Sequence, residues 1–258
     1  MRRKDMAKPK VACQLIVFGR DAITNRLQGV FEDLAAAGYQ GAETGDLSAQ
    51  ISASALKDTL AKLNLGLAGC HTGFQAKPEA YDKLIAYAKD AGTKWVIVSG
   101  VGDRKRGMAA YEDAAKVFNE VGKRCKDQGM VFCYHNHSWE FEKFDGKTAL
   151  VRLYELTDPS LVKLCVDMYW VQHGGESPAA FTQKHLSRIA LVHFKDMAPT
   201  PDRTFIELGR GTVDFPSVCK ALSAANLEWV TVEQDRSTLP AKESVTISRK
   251  YVKDKLGL

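Results

Sequence analysis

Residues 161–196 read LVKLCVDMYWVQHGGESPAAFTQKHLSRIALVHFKD. The stretch opens on an apolar run at 161–168, passes Pro178 into a helical pattern over 179–186, and closes on a second apolar run at 188–196. Both runs are apolar at nearly every position, as a parallel strand covered on both faces requires. A proline suits the first turn of the intervening helix, where its missing N–H would have no partner anyway. The stretch is therefore one strand, one helix and the next strand. Each run carries polar groups at its far end: Asp167 on the first, His193 and Lys195 on the second.

The same unit extends in both directions. Apolar runs fall at 11–18, 41–43, 65–71, 95–100, 130–137, 161–168, 188–196 and 229–235. Helical patterns follow them at 26–37, 55–63, 81–91, 109–128, 148–156, 179–186, 215–225 and 242–256. Strand and helix in steady alternation predict a single α/β domain, a (β/α)8 TIM barrel, for which about 250 residues is an ordinary length. The basic start, MRRKDMAKPK at 1–10, is read as a solvated tail, and 11–258 as the barrel. An open doubly wound sheet is the competing architecture, but no G-x-G-x-x-G follows the first run.

Composition excludes several function classes. The 36 Lys and Arg residues are scattered among 31 Asp and Glu, for a net charge of +5. A nucleic-acid partner is not expected, because its footprint is a concentrated basic stripe. No window approaches the roughly 20 apolar residues of a membrane span. The basic start runs into no long apolar segment, so no export signal and a cytoplasmic location are expected. None of the six cysteines forms C-x-x-C. Cys13, Cys133 and Cys165 sit in apolar runs, as small buried hydrophobes of a reducing compartment do.

In this barrel the active site lies at the C-terminal ends of the strands. Those ends carry Glu43, His71, the group His135–Asn136–His137 with Glu140 just beyond, Asp167, His193 with Lys195, and Glu233 with Asp235. Taken singly, each has an ordinary reading. Asp167 is a natural helix N-cap, a lone histidine a hydrogen-bonded structural residue, Glu43 the partner of a nearby arginine. Together they gather four of the six histidines and several carboxylates at one rim. Such a gathering has an electrostatic cost that a divalent cation relieves, since carboxylates and neutral imidazoles are its natural ligands.

The motifs GYQGAE (38–43), YHNHSWEF (134–141), CVDMYW (165–170), LVHFKD (191–196), LGRGTVDF (208–215) and TVEQD (231–235) occur in this order over nearly the whole chain. In that joint order they resemble the sugar phosphate isomerase/epimerase group of xylose-isomerase-like barrels. The resemblance implies one divalent metal, Mn²⁺ first, with Mg²⁺, Co²⁺, Fe²⁺ or Zn²⁺ as alternatives. It implies ligands from the last four strands, three of them Asp167, His193 and Glu233. On strand five many relatives have Glu-Asn-His where this chain has His135-Asn136-His137. Either His135 or Glu140 then completes the set, and Glu140 is the expectation, because an oxygen-rich sphere suits Mn²⁺.

The reaction implied is isomerisation or epimerisation of a keto sugar or related polyol. A Lewis acid holds the carbonyl and lowers the cost of the enediolate formed when the α-proton leaves. Glu233, His135 and His137 are the candidates for proton transfer, and Lys195 for the enediolate oxygen. Glu43, His71, Trp139, Trp170 and Arg210 are the candidate substrate contacts, the two indoles by stacking. A base of this kind also suits a lyase or dehydratase, by β-elimination from a 3-keto sugar. The glycine pair around Arg210 invites a phosphate cradle, but is read as a turn that shapes the rim.

Two other classes compete. His71, Asp167, His193 and Glu233 also resemble residues of apurinic-site endonucleases, but six histidines supply a three-zinc site poorly. A non-catalytic sugar-binding barrel would keep the pocket and lose the acid–base groups. The partner expected is a small-molecule sugar. Relatives often form dimers or tetramers, so a homo-oligomer is also an expectation.

Overall fold

A computed structural model describes residues 8–258. Eight strands run in parallel: β1 (Lys10–Gln14), β2 (Gly41–Thr44), β3 (Gly66–Gly73), β4 (Trp95–Ser99), β5 (Val131–His135), β6 (Val162–Asp167), β7 (Ile189–Phe194) and β8 (Trp229–Val232). They close in sequence order, β8 pairing with β1, into a barrel. The (β/α)8 expectation holds.

Around it lie α1 (Gly19–Asn25), α2 (Leu27–Ala37), α3 (Ala53–Lys62), α4 (Asp82–Ala91), α5 (Met108–Asp127), α6 (Ala149–Leu156), α7 (Met168–His173), α8 (Pro178–His185), α9 (Phe215–Leu222) and α10 (Ala241–Leu256). Eight of these match the sequence patterns within a few residues. The additional ones, α1 and α7, are short; α7 follows its strand directly and α1 follows a 3-10 turn. The first strand is also shorter than the apolar run: at Gln14 the side chain caps the N–H of Ile16, and Leu15–Phe18 turns into a 3-10 helix.

Of the expected tail, residues 1–7 lie outside the described residues. Lys8 Nζ donates to the Gly257 carbonyl at 2.7 Å, and Lys10 is already the first residue of β1.

Strand alternation sorts the side chains into two cores. One set faces the helices. The other fills the barrel floor: Ala12, Ala68, Trp95, Ile97, Cys133, Cys165, Leu191 and Trp229. Gly41 is glycine because the Trp229 indole lies where its Cβ would be, only 2.7 Å away. Two residues further along their strands, above Cys133, Cys165 and Leu191, come His135, Asp167 and His193, and Glu233 stands four beyond Trp229. The floor is apolar and the next layer up is ionisable.

Candidate metal centre and active site

His135, Asp167, His193 and Glu233 each present one ligand atom, and these atoms lie within 4.8 Å of one another. All four side chains are buried. Register explains the meeting: Asp167 stands opposite His193 across β6–β7, and His193 opposite Thr231 across β7–β8. His135 Nε2 is 3.6 Å from both Asp167 Oδ2 and Glu233 Oε2. His193 Nδ1 meets Glu233 Oε2.

Around the quartet stand four further groups. Lys195 is buried, with Nζ 2.9 Å from Asp235 Oδ1, 3.1 Å from Glu233 Oε1 and 3.4 Å from Asp167 Oδ2. Aromatic rings surround that ammonium at 5.1 Å (Phe205), 5.2 Å (Trp170) and 5.9 Å (Tyr169). His71 pairs with Glu43, and its ring centroid is 4.9 Å from that of His135. His137 stacks on Trp139 at 4.1 Å, and Arg104 covers the Trp139 ring at 4.0 Å. Trp170 tilts against His137 at 5.4 Å.

Charges in this cluster hold one another. Burial disfavours the Glu233 carboxylate, but Lys195 and His193 more than offset it and keep its pKa well below the ordinary range. Burial likewise opposes Glu43, yet His193 and His71 bring it down to about 2. Burial disfavours imidazolium at His135, and Asp167 and Glu233 nevertheless push it up. Burial opposes charge on Lys195 too, and its three carboxylate neighbours raise it regardless. Burial, with the nearby His135 and Lys195, takes the His137 imidazole down to about 2. Burial and the adjacent Glu233 raise Asp235.

The donor set fits a divalent cation. Both ring nitrogens of His135 and Oδ2 of Asp167 are buried without a hydrogen-bond partner. Buried polar atoms are seldom left so, and a metal at the centre of the quartet would engage His135 Nε2 and Asp167 Oδ2. Two imidazoles and two carboxylates are a common set for first-row divalent ions.

Two sequence expectations, on Glu140 and Glu43, need correction. Glu140, the expected strand-five ligand, is outside the quartet: Oε1 accepts from Tyr134 Oη at 2.6 Å and Oε2 from the His137 N–H at 2.8 Å. It anchors the turn after β5, and His135 takes the position in the quartet. Glu43, expected at substrate, is fully buried with both oxygens on imidazoles, Oε2 on His193 Nε2 at 2.8 Å. Arg210, also expected at substrate, is half-exposed and pairs with Glu207 at 3.5 Å.

The glycine-rich loop shapes the rim by an unforeseen route. The buried Asp196 carboxylate accepts the N–H groups of Met197, Gly209, Gly211 and Val213 at 2.9–3.1 Å. The cradle that a phosphate would need is filled by the protein itself. A Cβ at Gly211 would lie 2.3 Å from Asp196 Oδ1. Asp235, at the end of the eighth run, is the functional candidate that sequence reasoning noticed but gave no role; its position two residues after Glu233 was the available signal.

The chain belongs to the xylose isomerase-like TIM barrel family, whose pattern it matches over residues 31–255. It is 27% identical, over 90% of this chain and 91% of the relative, to the inosose dehydratase of Clostridium beijerinckii. Among solved structures, a sugar phosphate isomerase/epimerase from Parabacteroides distasonis superposes with a TM-score of 0.82 at 19% identity, covering 98% of this chain and 96% of that one. The IOLI protein, solved with a bound zinc atom, superposes with a TM-score of 0.75 at 16% identity, covering 95% and 97%. These relatives establish the fold. No helix among the described residues is long and apolar enough to cross a membrane.

Proposed function

We propose that the protein is a metal-dependent lyase: a dehydratase that removes water from a cyclic keto polyol of the inosose class through an enediolate. The observation that carries this reading is the end-to-end similarity to inosose dehydratases. It favours elimination over the isomerase or epimerase reaction. The quartet agrees, because His135 stands where an epimerase would keep a second carboxylate to return the proton.

His135, Asp167, His193 and Glu233 would hold the ion. When bound, it would supply Lewis-acid polarisation of the substrate carbonyl. Two imidazoles beside two carboxylates suit Zn²⁺, which the IOLI protein carries, as well as Mn²⁺. Glu233, kept as carboxylate by Lys195 and His193, takes the α-proton. The Lys195 ammonium, shielded from water by Phe205, Trp170 and Tyr169, stabilises the oxyanion that forms. Asp235, 2.9 Å from Lys195 Nζ, is the candidate to pass a proton to the departing hydroxyl. The neutral imidazoles of His71 and His137 bind ring hydroxyls, and Trp139 and Trp170, both in ring contact with His137, flank them. The free cysteines, five of them buried, agree with a reducing cytoplasm.

The test is mass spectrometry of an inosose incubated with the metal-loaded protein in D₂O. Loss of one water, abolished by chelator and restored by Mn²⁺ or Zn²⁺, is expected. Deuterium at the α-carbon without loss of water would make the protein an epimerase or isomerase instead.

A further inference from the structure

Backbone pairing between β5 and β6 runs only as far as His135 opposite Cys165. The chain then leaves the barrel for the 3-10 turn Trp139–Phe141. Beyond that point the Asn136 side chain continues the ladder as a peptide group would. Its Oδ1 accepts the Asp167 N–H at 3.1 Å, and its Nδ2 donates to the Asp167 carbonyl at 3.4 Å. Asn136 is 1% exposed, so both contacts form away from water.

Asp167 is held at its other end as well. As N-cap of α7 it accepts the Trp170 N–H on Oδ1 at 3.0 Å. With Oδ1 engaged, Oδ2 is left without a hydrogen bond, 3.6 Å from His135 Nε2 and 3.4 Å from Lys195 Nζ. The backbone is fixed, one carboxylate oxygen is fixed, and the other is presented to the quartet.

We infer that Asn136 is a positioning residue of the metal centre: by pairing both backbone groups of Asp167 it fixes where that residue, with one oxygen held by the Trp170 N–H, presents its free carboxylate oxygen to the ion. The inference rests on the metal-dependent reading above. An amide is the side chain the position needs. An apolar residue pairs neither group, and an aspartate accepts from the N–H but turns a second oxygen toward the Asp167 carbonyl. Groups that orient ligands in this way typically change metal affinity by about 10–100-fold when lost.

The test is titration of metal-free protein with Co²⁺, reading both affinity and the visible ligand-field bands, for wild type, Asn136→Ala, Asn136→Asp and Asn119→Ala. Asn119 makes a comparable pair of contacts, to the Leu156 carbonyl and the Asp158 N–H, far from the quartet in role. Both Asn136 variants should bind Co²⁺ about 10–100-fold more weakly, with altered band intensities, while Asn119→Ala keeps the wild-type affinity and spectrum. If Asn136→Ala does not fold, Asn136→Asp, which keeps the shape and one acceptor, decides alone. Folded Asn136 variants with wild-type affinity and bands would overturn the inference, even with a lowered unfolding midpoint, and leave the metal reading intact. Wild-type protein that takes up no Co²⁺ would overturn the metal reading instead.

Discussion

Glu43 Oε2 lies 2.8 Å from His193 Nε2, joining across the barrel interior two residues that are 150 positions apart. The bond fixes the ring plane of an imidazole whose other nitrogen meets Glu233. Glu43 therefore orients a ligand. Glu43→Gln keeps the size and loses the charge. It should weaken divalent-metal binding about 10–100-fold in a competition titration, with the circular dichroism of the barrel unchanged.

Glu140 and His135 are separated by their expected effects. Glu140→Gln should retain the metal of wild type. It keeps one acceptor oxygen and replaces the other with an NH2 group, so the buried bonds from Tyr134 Oη and the His137 N–H can no longer both be accepted, which should cost about 1–3 kcal/mol of stability in chemical denaturation. Loss of bound metal in this variant would return Glu140 to the ligand set.

Metal binding should be proton-linked. In the metal-free protein, burial opposes imidazolium at His193, and Cys165, Glu43 and Glu233 raise its pKa well above the ordinary value. The Cys165 thiol, itself pushed up to about 12, is neutral at physiological pH, so the carboxylates account for the effect. A raised folded pKa means that this imidazolium stabilises the metal-free fold fully below about pH 6.5. That contribution is lost as pH rises through the folded value. A ligand imidazole must be neutral, so apparent affinity should rise about tenfold per pH unit for each proton displaced. Titrations from about pH 6 to about pH 8 check this, and a flat profile contradicts it.

Lys195→Met leaves Asp167, Glu233 and Asp235 without their ammonium and removes the donor for the developing oxyanion. Turnover of a cyclic keto polyol should fall about 10²–10³-fold. Metal content should stay at the wild-type level, since Lys195 is no ligand. Elemental analysis alongside steady-state kinetics separates the two.

Much of this was legible in the sequence, and the reasons differ by residue. The barrel follows from apolar runs buried on both faces, and that pattern survives in every strand. Asp167, His193 and Glu233 could be placed because each stands at or next to a strand end, and the resemblance to xylose-isomerase-like barrels marks those positions as ligands. His135 and Glu140 could not be told apart, since Glu140 lies past the strand in a 3-10 turn. There a contact with Tyr134 Oη, rather than periodicity, decides where the carboxylate goes. The burial of Glu43 against His193 was illegible for another reason: it depends on how far apart β2 and β7 stand across the closed barrel. The Asp196 anchor was hidden because its four partners are backbone N–H groups.

The most direct test of the account is elemental analysis of wild-type protein and His135→Ala, each purified without chelator. The account predicts about one divalent ion per chain in wild type and loss of it in His135→Ala. Full retention by that variant, or a wild type that takes up neither Mn²⁺ nor Zn²⁺, would contradict it.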